Sequence, residues 1–169
     1  MPIRIQKHFC VLMRYNAWCN QRIYSAVESL SDDIYRAEHK QFLGSIHGTL
    51  NHLLLTDRLW LDRMQRGLFA TVPKLDDVVY QVFAELRAER NLLDDSLISF
   101  VNGLEEEAFN SFIQYRSSKG GTPKLTVLEI LTSMNIHQNH HRGQVHHMLN
   151  VSGCVAPSLD FPTYLDEVI

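Results

Sequence analysis

The sequence predicts an all-α protein, a bundle of four long helices, on three observations. Apolar residues recur at steps of three and four in four stretches of roughly 20–28 residues, the repeat of a helix that buries one face. The connections between those stretches are fairly short, which favours antiparallel neighbours. The last stretch opens on Thr126-Val127-Leu128-Glu129, the pattern of a capping box with Thr at the N-cap and Glu three residues on.

The first segment is expected from about Ile5 to Leu30, with Phe9, Met13, Ala17, Ile23, Val27 and Leu30 on its apolar side. Ser31-Asp32-Asp33 follows with turn and cap chemistry. The second is expected from about Phe42 to Arg66, with Gly67 suited to its C-terminal end. Leu43, Ile46, Leu50, Leu53, Leu54, Trp60, Leu61 and Met64 form its main face. The third is expected to begin near Asp76, an acceptable N-cap, and its stripe reads Val79, Val82, Phe83, Leu86, Leu93, Leu97, Phe100 and Leu104. Residues 109–125 break the helical pattern. Phe112, Ile113 and Tyr115 suit a short strand and Gly120-Gly121 a turn with a return pairing. A short irregular or β-hairpin insertion is therefore expected before the last helix. That helix runs from the Thr126 cap to Gly153, with Pro157 beyond, and residues 155–169 read as an irregular tail anchored by Phe161 or Tyr164. No internal repeat, low-complexity tract or linker interrupts the chain, so residues 1–169 read as one domain.

Composition narrows the function classes. A chain of 169 residues with 45 % apolar and 21 % charged residues fits an ordinary globular domain. A net charge of −3 leaves no basic footprint for nucleic acid or an anionic membrane. No apolar run is long enough to span a bilayer. The opening Met-Pro-Ile-Arg-Ile-Gln-Lys-His has no apolar signal core, so a cytoplasmic location is expected. Cys10, Cys19 and Cys154 are too few and too widely spaced for a disulfide framework or a thiolate zinc site, and reduced structural cysteines are expected. Histidine is the unusual residue. There are nine, and five fall between His137 and His147.

Two of those five lie on the apolar stripe of the last helix, which reads Val127, Ile130, Met134, His137, His141, Val145, Met148. Helical residues four apart have Cβ atoms about 5–6 Å from one another. Two such imidazoles can reach one ion at about 2.0–2.1 Å each. The competing reading, histidines hydrogen-bonded within the bundle, stands beside it on the pair alone. A third ligand should come from the second helix, which offers His47 and His52. A helical wheel places His47 near the main stripe and His52 on the side of Leu55 and Leu59. That side is apolar too, and the wheel leaves both open.

The remaining polar residues read as follows. His140, His146 and His147 are bystanders facing solvent or an interface. Gln144 lies one turn beyond His141 and can orient it or touch a substrate. Asp57 is either a ligand-orienting carboxylate or, the favoured reading, a surface partner for Arg58 or Arg63. Tyr15, Trp18 and Trp60 read as core aromatics before pocket lining. Asn16 and Asn20, one turn apart, suit a hydrogen-bond network.

Four sequence blocks together resemble the DinB family, also called DinB/YfiT-like. They are Arg14-Tyr15-Asn16-Ala17-Trp18-Cys19-Asn20, Gly44-Ser45-Ile46-His47-Gly48-Thr49-Leu50-Asn51-His52-Leu53-Leu54, Asp57-Arg58-Leu59-Trp60-Leu61 and His137-Gln138-Asn139-His140-His141-Arg142-Gly143-Gln144-Val145-His146. The resemblance spans nearly the whole chain, with Cys19 where a small residue such as Ala is common. It implies an up-down-down-up four-helix bundle, often a homodimer, with one divalent metal on three histidines. Carried onto this chain, those ligands are His52, His137 and His141, so the resemblance chooses His52 over His47. The family name refers to DNA-damage induction in a relative and implies no polymerase.

Three neutral imidazoles without a thiolate leave open positions on an ion, the pattern of catalytic rather than structural sites. Zinc fits first, and nickel also suits imidazole. Zinc would bring a bound water to a pKa of about 7, or the ion would activate a low-molecular-weight thiol as cosubstrate. The resemblance extends to thiol-dependent transferases. The expected function is a metal-dependent transferase or hydrolase acting on a small molecule. The alternative is a non-catalytic metal- or ligand-binding stress-response protein.

Overall fold

A computed structural model describes residues 4–70, 74–117 and 119–168. Four long helices form the bundle: α1 (Ile5–Glu28), α3 (Ile46–Arg66), α4 (Phe83–Asn102) and α5 (Val127–Val151). A short α2 (Asp32–Arg36) follows α1, and α6 (Phe161–Val168) closes the chain. Strands β1 (Phe112–Gln114) and β2 (Lys124–Thr126) pair antiparallel, Phe112 opposite Thr126.

Most helix ends follow local chemistry. The α5 capping box forms as expected: Thr126 Oγ1 accepts from Glu129 N at 3.2 Å, and Glu129 Oε2 accepts from Thr126 N at 2.7 Å. Gly67 ends α3 at φ +56, a conformation few other residues tolerate. Helix α1 has no side-chain cap of its own. Its orphan N–H groups are met from across the fold, where the Glu106 carboxylate accepts from Ile5 N and Gln6 N.

Three boundaries differ from expectation. Helix α3 starts at Ile46, not Phe42, because Ser45 Oγ caps Gly48 N and Gly44 turns the chain at φ +70; Phe42 is 85 % exposed. Helix α4 starts at Phe83, so Asp76 is not its cap and Val79 and Val82 lie outside its stripe. The N–H groups of Val79 and Tyr80 donate to Asn51 Oδ1 on α3 instead of entering a helical ladder. The tail is helical over Phe161–Val168, with Pro162 in the first turn, where its missing N–H costs nothing. The expected anchor holds: Tyr164 is buried against Tyr15 and Trp18.

Topology follows from which ends meet. Helices α1 and α3 each pack on α4 and α5, so the pair consecutive in sequence lies on a diagonal. Gln6 reaches Asn102, and Glu28 reaches Arg87, so α1 and α4 are antiparallel. Residues 51 and 58 of α3 meet 80 and 89, so α3 and α4 run parallel. Arg63, late in α3, bonds the Arg116 carbonyl in the hairpin that leads into α5, so those helices are antiparallel. The order is up-down-down-up. Ile46, Leu50, Leu54, Leu86, Leu97, Ile130, Leu131 and Met148 fill the interior, each stabilising the fold by about 1.5–3 kcal/mol relative to exposure.

A polar seam crosses that interior and joins all four helices. One oxygen of Asp57, on α3, accepts from Arg90 of α4 at 2.9 Å and from Gln138 of α5 at 2.6 Å. Arg90 also pairs with Asp94, whose oxygens accept from Asn20 of α1. Arg142 of α5 donates to Asn16 and Asn20 of α1, to Gln138 and to Asn139. Asp57 is 1 % exposed, which corrects the surface reading: neither Arg58 nor Arg63 is its partner. Asn16 and Asn20 do join a network. Removing one member of a buried pair strands the other. Asp57→Ala should therefore lower unfolding free energy by about 3 kcal/mol, read from urea denaturation. A loss below about 1 kcal/mol, the range of an exposed pair, would contradict it.

Candidate metal centre

The α3–α5 seam brings His52, His137 and His141 together. The helical repeat puts His137 and His141 one turn apart on α5, and the antiparallel packing sets His52 opposite them. Their ring centroids are 4.4 to 5.1 Å apart, and one ligand nitrogen from each lies within 4.8 Å of the others. His52 and His141 are buried, and His137 is partly so.

Hydrogen bonds fix which nitrogen of two rings faces inward. His52 Nδ1 lies 2.7 Å from the Leu75 carbonyl oxygen. A carbonyl only accepts, so Nδ1 carries the hydrogen and Nε2 presents its lone pair. His141 Nδ1 donates to Gln144 Oε1 at 2.7 Å, again freeing Nε2. His52 Nε2 lies 3.2 Å from His137 Nε2. Two nitrogens bound to one tetrahedral ion at about 2.0–2.1 Å would be about 3.3 Å apart, so the spacing suits a shared ion.

Of the other histidines, His140 borders the group, its ring centroid 4.9 Å from that of His141, and His47, His146 and His147 lie elsewhere. His47 accepts from Arg36 Nη1 through Nδ1 at 2.8 Å and donates to the Tyr80 carbonyl through Nε2 at 2.9 Å. It is a neutral structural clamp, and burial lowers its pKa. His140 and His147 are exposed, and His146 meets Asn150. Gln144 orients His141, as its spacing suggested. Tyr15 bonds the Leu159 carbonyl, and Trp18 bonds Glu167, so both serve the α1–α6 contact. Trp60 and Tyr115 meet edge to face, and the Arg63 guanidinium lies 4.5 and 4.4 Å from their ring centroids, which pins the hairpin to α3. Cys19 is fully buried with its thiol pushed up by burial, as suits a structural cysteine.

Two participants were missed from the sequence. The Leu75 carbonyl carries no side-chain signal at all. Asn51 does carry one: a helix-interior asparagine in an apolar context needs partners for its amide.

The chain matches the DinB family over residues 5–168. It belongs to the DinB family. Among DinB relatives, it is 28 % identical over 159 residues to Protein DinB of Bacillus subtilis (strain 168), covering 91 % of each chain. Its fold is similar to YfiT from Bacillus subtilis, described as a probable metal-dependent hydrolase with an unusual four-helix bundle topology. That match has a TM-score of 0.72 at 12 % identity over 90 % of each chain. A DinB-like protein from Bacillus cereus ATCC 10987 matches with a TM-score of 0.65 at 13 % identity, covering 87 % of this chain and 94 % of that one.

The electrostatics of this DinB site favour neutral rings. Burial, then the neighbouring His141, His52 and His140, hold His137 down from the ordinary value of 6.5 to about 4. Burial also lowers His141, partly opposed by its bond to Gln144. Neutral imidazole is the form that ligates. The shift carries a stability consequence in metal-free protein. Between pH 6.5 and about 4 the unfolded chain takes up the His137 proton and the folded chain does not. Stability should therefore fall as pH drops through that window. His137→Gln should flatten that part of the profile in thermal melts with chelator present, and an unchanged slope would contradict the assignment.

Proposed function

We propose that His52, His137 and His141 hold one divalent metal ion, and that the protein is a metal-dependent enzyme acting on a small molecule. One observation carries this reading: three imidazoles from two helices converge, with Nε2 of His52 and of His141 freed by bonds at Nδ1. Zinc is the ion proposed first and nickel second, since both accept imidazole ligands. Among the described residues no fourth Cys, Asp, Glu or His joins the group, which leaves positions for substrate. When bound, such an ion supplies Lewis acidity, activating water or a thiol and polarising a substrate oxygen.

The chain's own residues prepare that chemistry. The Leu75 carbonyl and Gln144 hold two rings in the ligating tautomer. Three neutral ligands leave the full positive charge of the ion uncompensated, which maximises its pull on a developing anion. Helix α5 follows His137 and His141 with Gln138 and Arg142, both locked in the buried seam, so the two ligands sit on a rigid surface.

Hydrolysis is the first reaction proposed, supported by the description of YfiT. Transfer of a low-molecular-weight thiol to an electrophile is the second, since the same neutral ligand set suits a thiolate. We also propose a homodimer, which light scattering would report as twice the 19.5 kDa chain mass.

His137→Ala should abolish stoichiometric metal, measured by elemental analysis of purified protein. Retained stoichiometric metal in that variant would sink the ligand assignment. A screen of zinc- and nickel-loaded protein against hydrolysable esters and amides, and against electrophiles with several cellular thiols, separates the reactions. Metal-dependent turnover without thiol supports the hydrolase, and turnover requiring one thiol supports the transferase. Tight metal binding with no turnover across the screen favours the non-catalytic binding protein.

A further inference from the structure

Residues 74–82 lead from the α3 side of the bundle into α4 and form no regular element. They lie against α3 at Asn51 and His52. Val78, Val79 and Val82 are exposed, while Tyr80 packs partly buried against the core. Polar side chains supply the directional part of the hold. Asn51 is fully buried and uses all four hydrogen-bonding positions of its amide. Its Oδ1 accepts from Val79 N at 3.1 Å and Tyr80 N at 2.9 Å. Its Nδ2 donates to the His47 carbonyl at 3.1 Å and the Tyr80 carbonyl at 3.2 Å. His47 donates to the same Tyr80 carbonyl, and Arg36 donates to the Gln81 carbonyl at 2.7 Å.

The next residue of α3 is His52, and its Nδ1–H is held by the Leu75 carbonyl of that same segment. The clamp at residues 79 and 80 and the acceptor at residue 75 are thus two ends of one strap. If the strap lifts, His52 loses the acceptor that selects its tautomer. The ring can then carry hydrogen on Nε2, the nitrogen facing His137, and that form cannot ligate there.

We propose that Asn51 is a positioning residue for the metal centre. By clamping residues 79–80 it keeps the Leu75 carbonyl on His52 Nδ1, so that strap docking and ligation through Nε2 form one coupled equilibrium. Coupling is reciprocal: a docked strap favours the ion, and the ion favours the docked strap by the same factor. Partners that orient ligand histidines typically change metal affinity by about 10–100-fold. The inference rests on the three-histidine reading above.

The test uses zinc with metal-free wild-type protein and with Asn51→Ala. Zinc affinity should fall about tenfold or more in the variant. In wild-type protein zinc should slow trypsin cleavage after the exposed Lys74. Imidazole nitrogen NMR of the metal-free proteins should show His52 as the Nδ1–H tautomer in wild type and as a mixture in Asn51→Ala, a signature that mere loss of stability does not produce. Should the variant fail to fold, the wild-type cleavage rates decide alone. A folded variant with wild-type affinity, or wild-type cleavage after Lys74 that zinc binding leaves unchanged, overturns the coupling and spares the three-histidine reading. Wild-type protein that binds no zinc or nickel overturns both.

Discussion

One oxygen of Asp57 accepts hydrogen bonds from two other helices, from Arg90 of α4 and from Gln138 of α5. Through Gln138 the seam continues to Arg142 and then to Asn16 and Asn20 of α1. Apolar packing alone lets helices slide and rotate by small amounts at little cost, because it has no direction. A buried carboxylate with fixed donors does have direction, and a shift of about an ångström would leave charge unpaired. The seam therefore sets the phase of α5 against α3. His137 and His141 each precede a seam residue in sequence, so that same phase delivers their rings to His52.

The bundle thus separates two kinds of buried polar group. Asp57, Asp94, Arg90 and Arg142 are charged types that balance within the seam. The three imidazoles sit beside it, and two of them are held toward the neutral form: burial lowers His141, and burial with its neighbours lowers His137 to about 4. Arg142 shows what the balance requires. Burial lowers its pKa, and its hydrogen-bond partners are neutral amide oxygens, so Asp57 and Asp94 supply compensation from farther along the seam. The lowered values of His137 and His141 come instead from burial and from the imidazoles around them, and neutral rings are the form available to a cation.

Much of this was legible in the sequence. The Thr126–Glu129 box gave the start of α5 because capping is local chemistry, and the steps of three and four put His137 and His141 on its inner side. The hairpin showed in its aromatic strand and paired glycines. The start of α3 failed on local chemistry, the Ser45 cap after Gly44, and the other failures were non-local. Asp76 resembled an N-cap, but Asn51 draws the following backbone away from the helix. Asp57 resembled a surface residue because its partners, Arg90 and Gln138, lie 33 and 81 positions away. The choice between His47 and His52 lay beyond a helical wheel, since α3 is covered on its outer side by residues 74–82. The family resemblance selected His52, and the structure places that ring beside His137 and His141. A backbone carbonyl such as that of Leu75 leaves no trace in a residue pattern.

The central claim is that three imidazoles, and no thiolate, hold the ion. X-ray absorption at the metal edge of zinc-loaded protein addresses it directly. The account predicts a nitrogen and oxygen shell at about 2.0–2.1 Å with the outer-ring scattering of three imidazoles and no sulfur. A sulfur shell near about 2.3 Å, or a shell without imidazole scattering, would contradict it.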